Sequence, residues 1–255
     1  SSDILSFVLW AFVNEGEEIL TSKTTFLMYP ILAKVSHGTL VEVPMKDWRF
    51  DLEAMARRIG PKTKVVFLCN PNNPTGTIFR RAEFEAFLRA VPEHTVVLVD
   101  EAYMEFADDE EFPDTLRWIR EGKRVIALRT FSKIAGLAGL RIGYGISTPE
   151  IADWLNRVRP PFNTNRLAQA AAAAALDDEA HIEKTRRMVL EGRKFLAAEF
   201  DKLGLFHVPS QANFILVQVK RDAEEFSRRL MERGVIVRAM NEFGLPDYLR
   251  VSVGT

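Results

Sequence analysis

The side chains best equipped for chemistry lie in one stretch, "RTFSKIAGLAGLRIG" at positions 129–143, where Lys133 and Arg141 are separated by small residues. An apolar run, "RVIALRTFS", leads into it. Left in water, such a lysine is a solvated loop charge. Half-buried beside another cation, it gives up its proton at a lower pH and serves as an amine nucleophile or general base. Arginine suits two-point binding of phosphate or carboxylate oxygens. Two further apolar runs end in polar side chains. "KVVFLCNP" continues into Asn72, Asn73, Thr75 and Gly76, and "TVVLVDEAY" carries Asp100, Glu101 and Tyr103. Ligands of open α/β sheets bind beyond the carboxyl ends of the strands. One edge would therefore gather an amide, a carboxylate, a phenol, an amine and a guanidinium. Asp100 follows "VVLV", and a charge buried there needs a partner unless it serves as a helix N-cap. Taken alone, Tyr103 reads equally as a core aromatic, and Asn73 as a turn residue before Pro74.

The elements that must position these groups follow from periodicity. "SSDILSFVLWAFV" predicts a helix starting at Ser1 or Ser2, with Ile4, Leu5, Val8, Leu9 and Phe12 on one stripe and Asp3 as an acid in the first turn. Its first N–H groups offer a cup for a phosphate. Strands are expected in "EEILTSKTT", "TLVEVPM", "KVVFLCNP", "TVVLVDEAY", "RVIALRTFS" and "RIGYGIS", and helices in "TFLMYPILAKVSHG", "DLEAMARRIG", "RAEFEAFLRAV" and "DTLRWIREG". That alternation argues for an α/β fold. "PEIADWLNRVRPPFNT" reads as a helix broken at Pro160 and Pro161. One uninterrupted helix is expected from Asn165 to about Lys202, roughly 50 Å long and shaped as a brace between domains. "ANFILVQV", "DAEEFSRRLMERG", "VIVRAM" and "YLRVSV" then form a small α+β unit. The expected division is 1–160 for the large domain and 161–255 for the brace and the small domain. A natural chain seldom begins on a helix cap, so an internal piece of a longer protein is expected.

Composition removes several function classes. Lys and Arg number 34 against 35 Asp and Glu, which leaves no basic face for nucleic acid and no polybasic membrane anchor. "LAQAAAAAAL" is too short and too rich in alanine to span a bilayer. Cys69 stands alone, so neither a disulfide framework nor a cysteine metal cluster is expected, and a reducing cytoplasm fits. Within its apolar run Cys69 is most simply a small hydrophobe. His37, His94, His181 and His207 lack ligand spacing, so no metal is expected. "DDEEF" at 108–112 reads as a solvated loop.

"PNNPTG", "VDEAY" and "RTFSKIAGLAGLRIG", in this order and spacing, resemble the pyridoxal-phosphate-dependent aminotransferases of fold type I, classes I and II. Within them the chain is most similar to the histidinol-phosphate branch, a narrower likeness supported by "TTFLMY", "NFILV" and "LRVSVGT". The resemblance covers essentially the whole chain. It implies a large, mixed, mostly parallel sheet flanked by helices, plus a small α+β C-terminal domain. It also implies pyridoxal 5'-phosphate, an amino donor with a 2-oxo acid (histidinol phosphate and 2-oxoglutarate), and a homodimer. Lys133 then matches the residue that holds the cofactor and moves the substrate proton, and Asp100 the partner of the ring nitrogen. Tyr103 and Asn73 match the residues on the ring's 3' oxygen. Ser132, Arg141 and the backbone at Ser1 and Ser2 match the phosphate site, with Gly136 and Gly139 letting the loop turn back. Phe26 aligns with an aromatic that stacks on the ring, unless it is a helix core residue. Arg250 matches the grip on the substrate's anionic end. Arg238 matches a second phosphate contact and Asn213 a further substrate residue, unless both are edge-strand surface residues. The N-terminal arm and the last helix of the small domain are missing from the resemblance. Other readings are an aromatic or aspartate aminotransferase, a threonine-phosphate decarboxylase, or a catalytically silent regulatory domain. Lys133, Asp100 and Arg141 argue against silence.

Overall fold

The computed structural model describes residues 1–254. Its larger sheet has six strands: β1 (Glu18–Ser22), β2 (Thr39–Val43), β3 (Thr63–Cys69), β4 (Val96–Asp100), β5 (Val125–Thr130) and β6 (Gly143–Ile146), in the order β2-β1-β3-β4-β5-β6. All pair in parallel except β6, which runs antiparallel to β5. β3 and β4 are buried almost throughout because helices cover both faces, which is why their sequences are continuous apolar runs. Helices α1 (Ser2–Phe12), α2 (Met28–Val35), α3 (Leu52–Arg58), α4 (Arg81–Ala90), α5 (Thr115–Arg120) and α6 (Pro149–Val158) flank this sheet. α1 packs against α2 and α6, and α3 against α4. Several start where a short polar side chain caps the first turn. Asp51, Asp114 and Thr148 accept backbone N–H groups from Ala54, Leu116 and Ile151.

The long brace is not one helix. The chain forms α7 (Arg166–Leu176) and then α8 (Glu179–Lys202), with a break at Asp177 and Asp178. Asp178 accepts the His181 N–H at 3.0 Å and becomes the N-cap of α8. Two adjacent aspartates offer the backbone a rival set of hydrogen bonds, and that competition outweighs the helix preference of the flanking alanines. α8, with 24 residues, is about 36 Å long.

A second, antiparallel sheet follows in the order β7-β8-β10-β9, from β7 (His207–Val208), β8 (Phe214–Gln218), β9 (Arg238–Met240) and β10 (Leu245–Ser252). α9 (Ala223–Met231) packs on β9 and β10. The two sheets share a core. Tyr103, Phe106 and Ile134, from loops of the large sheet, pack with Val189 of α8 and with Ala212, Phe214 and Val253 beside the small one.

The acidic run at 108–112 is the largely exposed loop that its sequence suggests, and it is also a junction. The Arg193 guanidinium of α8 donates to Asp108 Oδ1 at 2.7 Å and to the Phe106 and Ala212 carbonyls. Gln211 Oε1 accepts the N–H groups of Asp108 and Asp109, and Arg80 pairs with Asp109. A buried arginine needs acceptors, and the carbonyls and carboxylate of this loop supply them.

Candidate active site

The loop after β3 is fixed by its own amides. Asn70 Oδ1 accepts the Phe79 N–H at 3.0 Å, and Asn72 Nδ2 donates to Thr75 Oγ1 and to the Thr24 carbonyl. Thr25 Oγ1 donates to Asn72 Oδ1 at 2.7 Å, which ties this loop to the segment before α2. Asn73 is buried, and its Oδ1 accepts Arg250 Nη1 at 2.6 Å, from a residue 177 positions later.

At the end of β4, Asp100 is buried beside Cys69 of β3. Its Oδ1 accepts the Ala102 N–H at 3.1 Å and its Oδ2 the Tyr29 hydroxyl at 3.3 Å. Burial pushes its carboxyl up to about 6, against those two hydrogen bonds. No lysine or arginine pairs with it among the described residues. Tyr103 is buried edge-on against Phe214, with ring centroids 5.1 Å apart, and burial holds its hydroxyl well above the usual phenol range.

After β5, Thr130 Oγ1 accepts the Ser132 N–H at 3.1 Å and sets the direction of the loop. Lys133 Nζ lies 5.2 Å from the centre of the Tyr103 ring and has no acidic partner within 4.0 Å among the described residues. The residue as a whole is exposed, yet the protein packed around its ammonium removes part of the water there. That desolvation lowers its pKa, Arg250 and Arg141 add to the effect, and Asp100 opposes it. Gly136 turns the loop at φ +69°, whereas Gly139 has neither a positive φ nor a crowded Cβ position. The second tight turn falls on Arg141 itself, at φ 59°, a conformation that costs a non-glycine residue about 1–3 kcal/mol. Arg141 Nη1 donates to the Ala138 carbonyl at 2.9 Å. Arg141 and Ser1 line one cavity of about 290 Å³ with Asp3, Asn163 and Thr164. Gly143 permits this approach, since a Cβ there would lie 2.7 Å from the Ser1 nitrogen. The Ser1 side chain makes no capping hydrogen bond, so the first N–H groups of α1, from Ser2 onward, are free of a side-chain cap.

From the small sheet, Arg250 stacks its guanidinium 4.8 Å from the Phe214 ring centre, and its buried Nε has no hydrogen-bond partner. Burial lowers its pKa, with Tyr103 raising it and Arg238 lowering it again. Arg238 stands opposite Arg250 across β9 and β10, but it is exposed, pairs with Glu242 at 3.0 Å and lies over Phe243. Asn213 precedes β8 and is held by its backbone carbonyl, which accepts the Val253 N–H at 2.8 Å. Phe26 lies before α2 rather than inside it, edge-on to Tyr29 at 5.7 Å.

The structure thus gathers Asn73, Asp100, Tyr103, Lys133 and Arg250 around one cleft, and places Ser1 and Arg141 together at one cavity. Sequence reasoning passed over three groups. They are Tyr29, the Thr25–Asn72 pair, and the buried Glu101–Arg129 ion pair at 2.8 Å. "TTFLMY" holds two of them, and a charged residue near the end of the otherwise apolar run of β5 was the available signal for Arg129.

All of the chain, residues 1–255, matches the family Aminotransferase class I and II. The chain belongs to that family. The histidinol-phosphate aminotransferase of Moorella thermoacetica is 49% identical over the whole chain, which spans 66% of that protein. That of Caldicellulosiruptor saccharolyticus is 43% identical, with 71% of its length covered. A crystal structure of histidinol-phosphate aminotransferase from Sinorhizobium meliloti in complex with pyridoxal-5'-phosphate superposes with a TM-score of 0.91 at 33% identity, covering 98% of this chain and 70% of that one. An aspartate aminotransferase from Thermus thermophilus superposes with a TM-score of 0.87 at 26% identity, over 100% and 74% of the two chains. The α/β architecture, a mixed and mostly parallel sheet with flanking helices, is that of the fold-type I aminotransferases. No helix among the described residues is long and apolar enough to cross a membrane, and no group of three or more His, Cys, Asp or Glu side chains there could hold a metal.

Proposed function

We propose that the full-length protein transfers an amino group between L-histidinol phosphate and 2-oxoglutarate, using pyridoxal 5'-phosphate held by the residues of this cleft. The observation that carries the reading is a pair of complementary deficits. Lys133 is an amine without a counterion, and Asp100 is a buried carboxyl without a cation. A group with an aldehyde, a protonatable ring nitrogen and a phosphate fits both, and the uncapped start of α1 beside Arg141 suits the phosphate. When bound, the cofactor supplies the electron-withdrawing ring that lets the amino donor lose its Cα proton.

Every other task falls to this chain. Lys133 holds the cofactor and carries that proton, helped by its lowered pKa. Asp100 keeps the ring nitrogen protonated, while Asn73 and Tyr103 hold the ring oxygen and Phe26 covers a ring face. Ser132, Arg141 and the backbone at Ser1 and Ser2 hold the phosphate. Arg250 takes the substrate's anionic end with its unpaired Nε, and Arg238 and Asn213 complete that side. Arg238 needs only to leave Glu242, an exposed pair worth at most about 1 kcal/mol. The division near Pro160, a homodimer and a cytoplasmic location belong to the same reading, and the names of the curated relatives support its substrate.

The test is a panel of amino donors on the full-length protein, with borohydride reduction and peptide mapping of the bound cofactor. The label should fall on Lys133, and histidinol phosphate should outrun phenylalanine and aspartate. Label on another lysine removes the assignment. A preference for an aromatic or acidic amino acid removes the substrate and leaves the chemistry.

A further inference from the structure

Tyr29 is a polar side chain with no exposure at all, in a helix that otherwise serves the core. Its ring stacks on Phe67 with centroids 4.8 Å apart and meets Phe26 edge-on. Phenylalanine would fill that space equally well, so packing does not account for the hydroxyl. The hydroxyl donates to Asp100 Oδ2, while the Ala102 amide holds Oδ1. Those are the two hydrogen bonds that the Asp100 carboxylate receives among the described residues. The neighbouring Cys69 thiol is directed to the Pro71 carbonyl and leaves Oδ2 to Tyr29.

We propose that Tyr29 is the positioning residue of Asp100, fixing the rotation of its carboxylate and sustaining its charge for the cofactor's ring nitrogen. This rests on the proposed use of pyridoxal phosphate. The geometry supplies both functions. One oxygen is pinned by the loop backbone and the other by a ring clamped between Phe67 and Phe26, so the carboxyl plane cannot turn. A hydrogen bond to the charged form also offsets part of the burial that pushes Asp100 up to about 6. The other titratable groups around Asp100 are Cys69 from β3, Glu101 and Tyr103 from its own loop, and Lys133 from the loop after β5. Among the described residues only Tyr29 and Ala102 hydrogen-bond to its carboxylate. Through Phe26, the same tyrosine also braces the residue expected over the cofactor ring.

The experiment is a double-mutant cycle in the full-length protein with Tyr29→Phe, Asp100→Asn and the pair. Its readouts are the dissociation constant for pyridoxal phosphate, kcat, and the pH midpoint of the bound cofactor's absorbance. Tyr29→Phe conserves volume and should leave the circular dichroism unchanged. It should lower kcat and cofactor affinity by roughly tenfold each, the effect of one hydrogen bond to a charged group. The absorbance midpoint should move by about one pH unit. In the Asp100→Asn background, Tyr29→Phe should change kcat and affinity less than about twofold, because it acts through the carboxylate. Equal losses in the two backgrounds, or no loss in the wild-type background, would make Tyr29 a core residue and overturn the proposal. Failure of the wild type to bind the cofactor would remove the proposed function and this inference together, whereas binding without a Tyr29 effect removes only the inference.

Discussion

Replacing Arg193 by methionine should lower the melting temperature of the full-length protein by about 5–15 °C, at roughly 2–4 °C per kcal/mol for a chain of this size. Arg193 is nearly buried, and its guanidinium donates to the Phe106 carbonyl at 3.1 Å, the Ala212 carbonyl at 3.3 Å and Asp108 Oδ1 at 2.7 Å. Methionine keeps most of the stem and its contacts but leaves both carbonyls without a donor. Each loss costs about 1.5 kcal/mol, the low end for a hydrogen bond to a charged group. The Asp108 side chain is 37% exposed, so water reclaims it and that bond adds less than about 1 kcal/mol. Relief from burying a guanidinium returns part of the total, leaving about 2–4 kcal/mol. Thermal unfolding followed by circular dichroism or calorimetry reads the shift. Arg193→Lys should recover part of it, and Asp108→Asn should cost far less than Arg193→Met. A methionine variant melting within about 2 °C of wild type would refute the carbonyl clamp. An Asp108→Asn loss equal to that of Arg193→Met would mean that the ion pair, not the carbonyl grip, joins α8 to the loop that carries Tyr103.

Asp100→Asn should retain the fold and lose turnover by about a hundredfold or more, since an amide cannot hold the ring nitrogen protonated; wild-type kcat with cofactor bound would remove Asp100 from the chemistry. Arg250→Lys keeps the charge but loses the two-point fork and the bond to Asn73, so steady-state KM for both substrates should rise about 10- to 100-fold with kcat less affected; an unchanged KM would show that Arg250 does not touch substrate. Glu105 is raised by burial from its ordinary 4.5 to about 7. Between those values the folded state binds more protons than the unfolded one, so this group's contribution falls as pH rises and is lost above about 7. Glu105→Gln, which stays neutral, should therefore stabilise the cofactor-free protein by about 1–3 kcal/mol at pH 8 and change little at pH 4. Equal melting shifts at the two pH values would contradict the buried carboxyl.

The central strands of the large sheet were legible because burial on both faces writes itself as "KVVFLC", "TVVLV" and "VIALRT", and the polar residues closing those runs fall on the carboxyl edge by topology. Lys133 and Asp100 stood out as candidates by that route, whereas Asn73 alone reads as a turn residue and became a candidate only through the family resemblance. The helix starts at Asp51, Asp114 and Asp222 were legible for a local reason, since a cap involves only the next few residues. The break at Asp177–Asp178 used the same chemistry and was overlooked because the alanine run outweighed it. What the chain could not display locally were its long-range partners. Arg250 meets Asn73 across 177 positions, Tyr29 meets Asp100 across 71, and Arg193 meets Phe106 across 87. Arg238 and Arg250 both sit in otherwise apolar strands, yet one strand turns its arginine to the Asn73 loop and the other to Glu242. The sequence by itself determined the strands, most helices and the types of group on the carboxyl edge of the large sheet, because periodicity and capping depend on near neighbours. Tertiary structure alone decided which arginine reaches the Asn73 loop, which tyrosine holds the aspartate and how the acidic loop is joined to α8, because those pairings depend on how distant segments pack together.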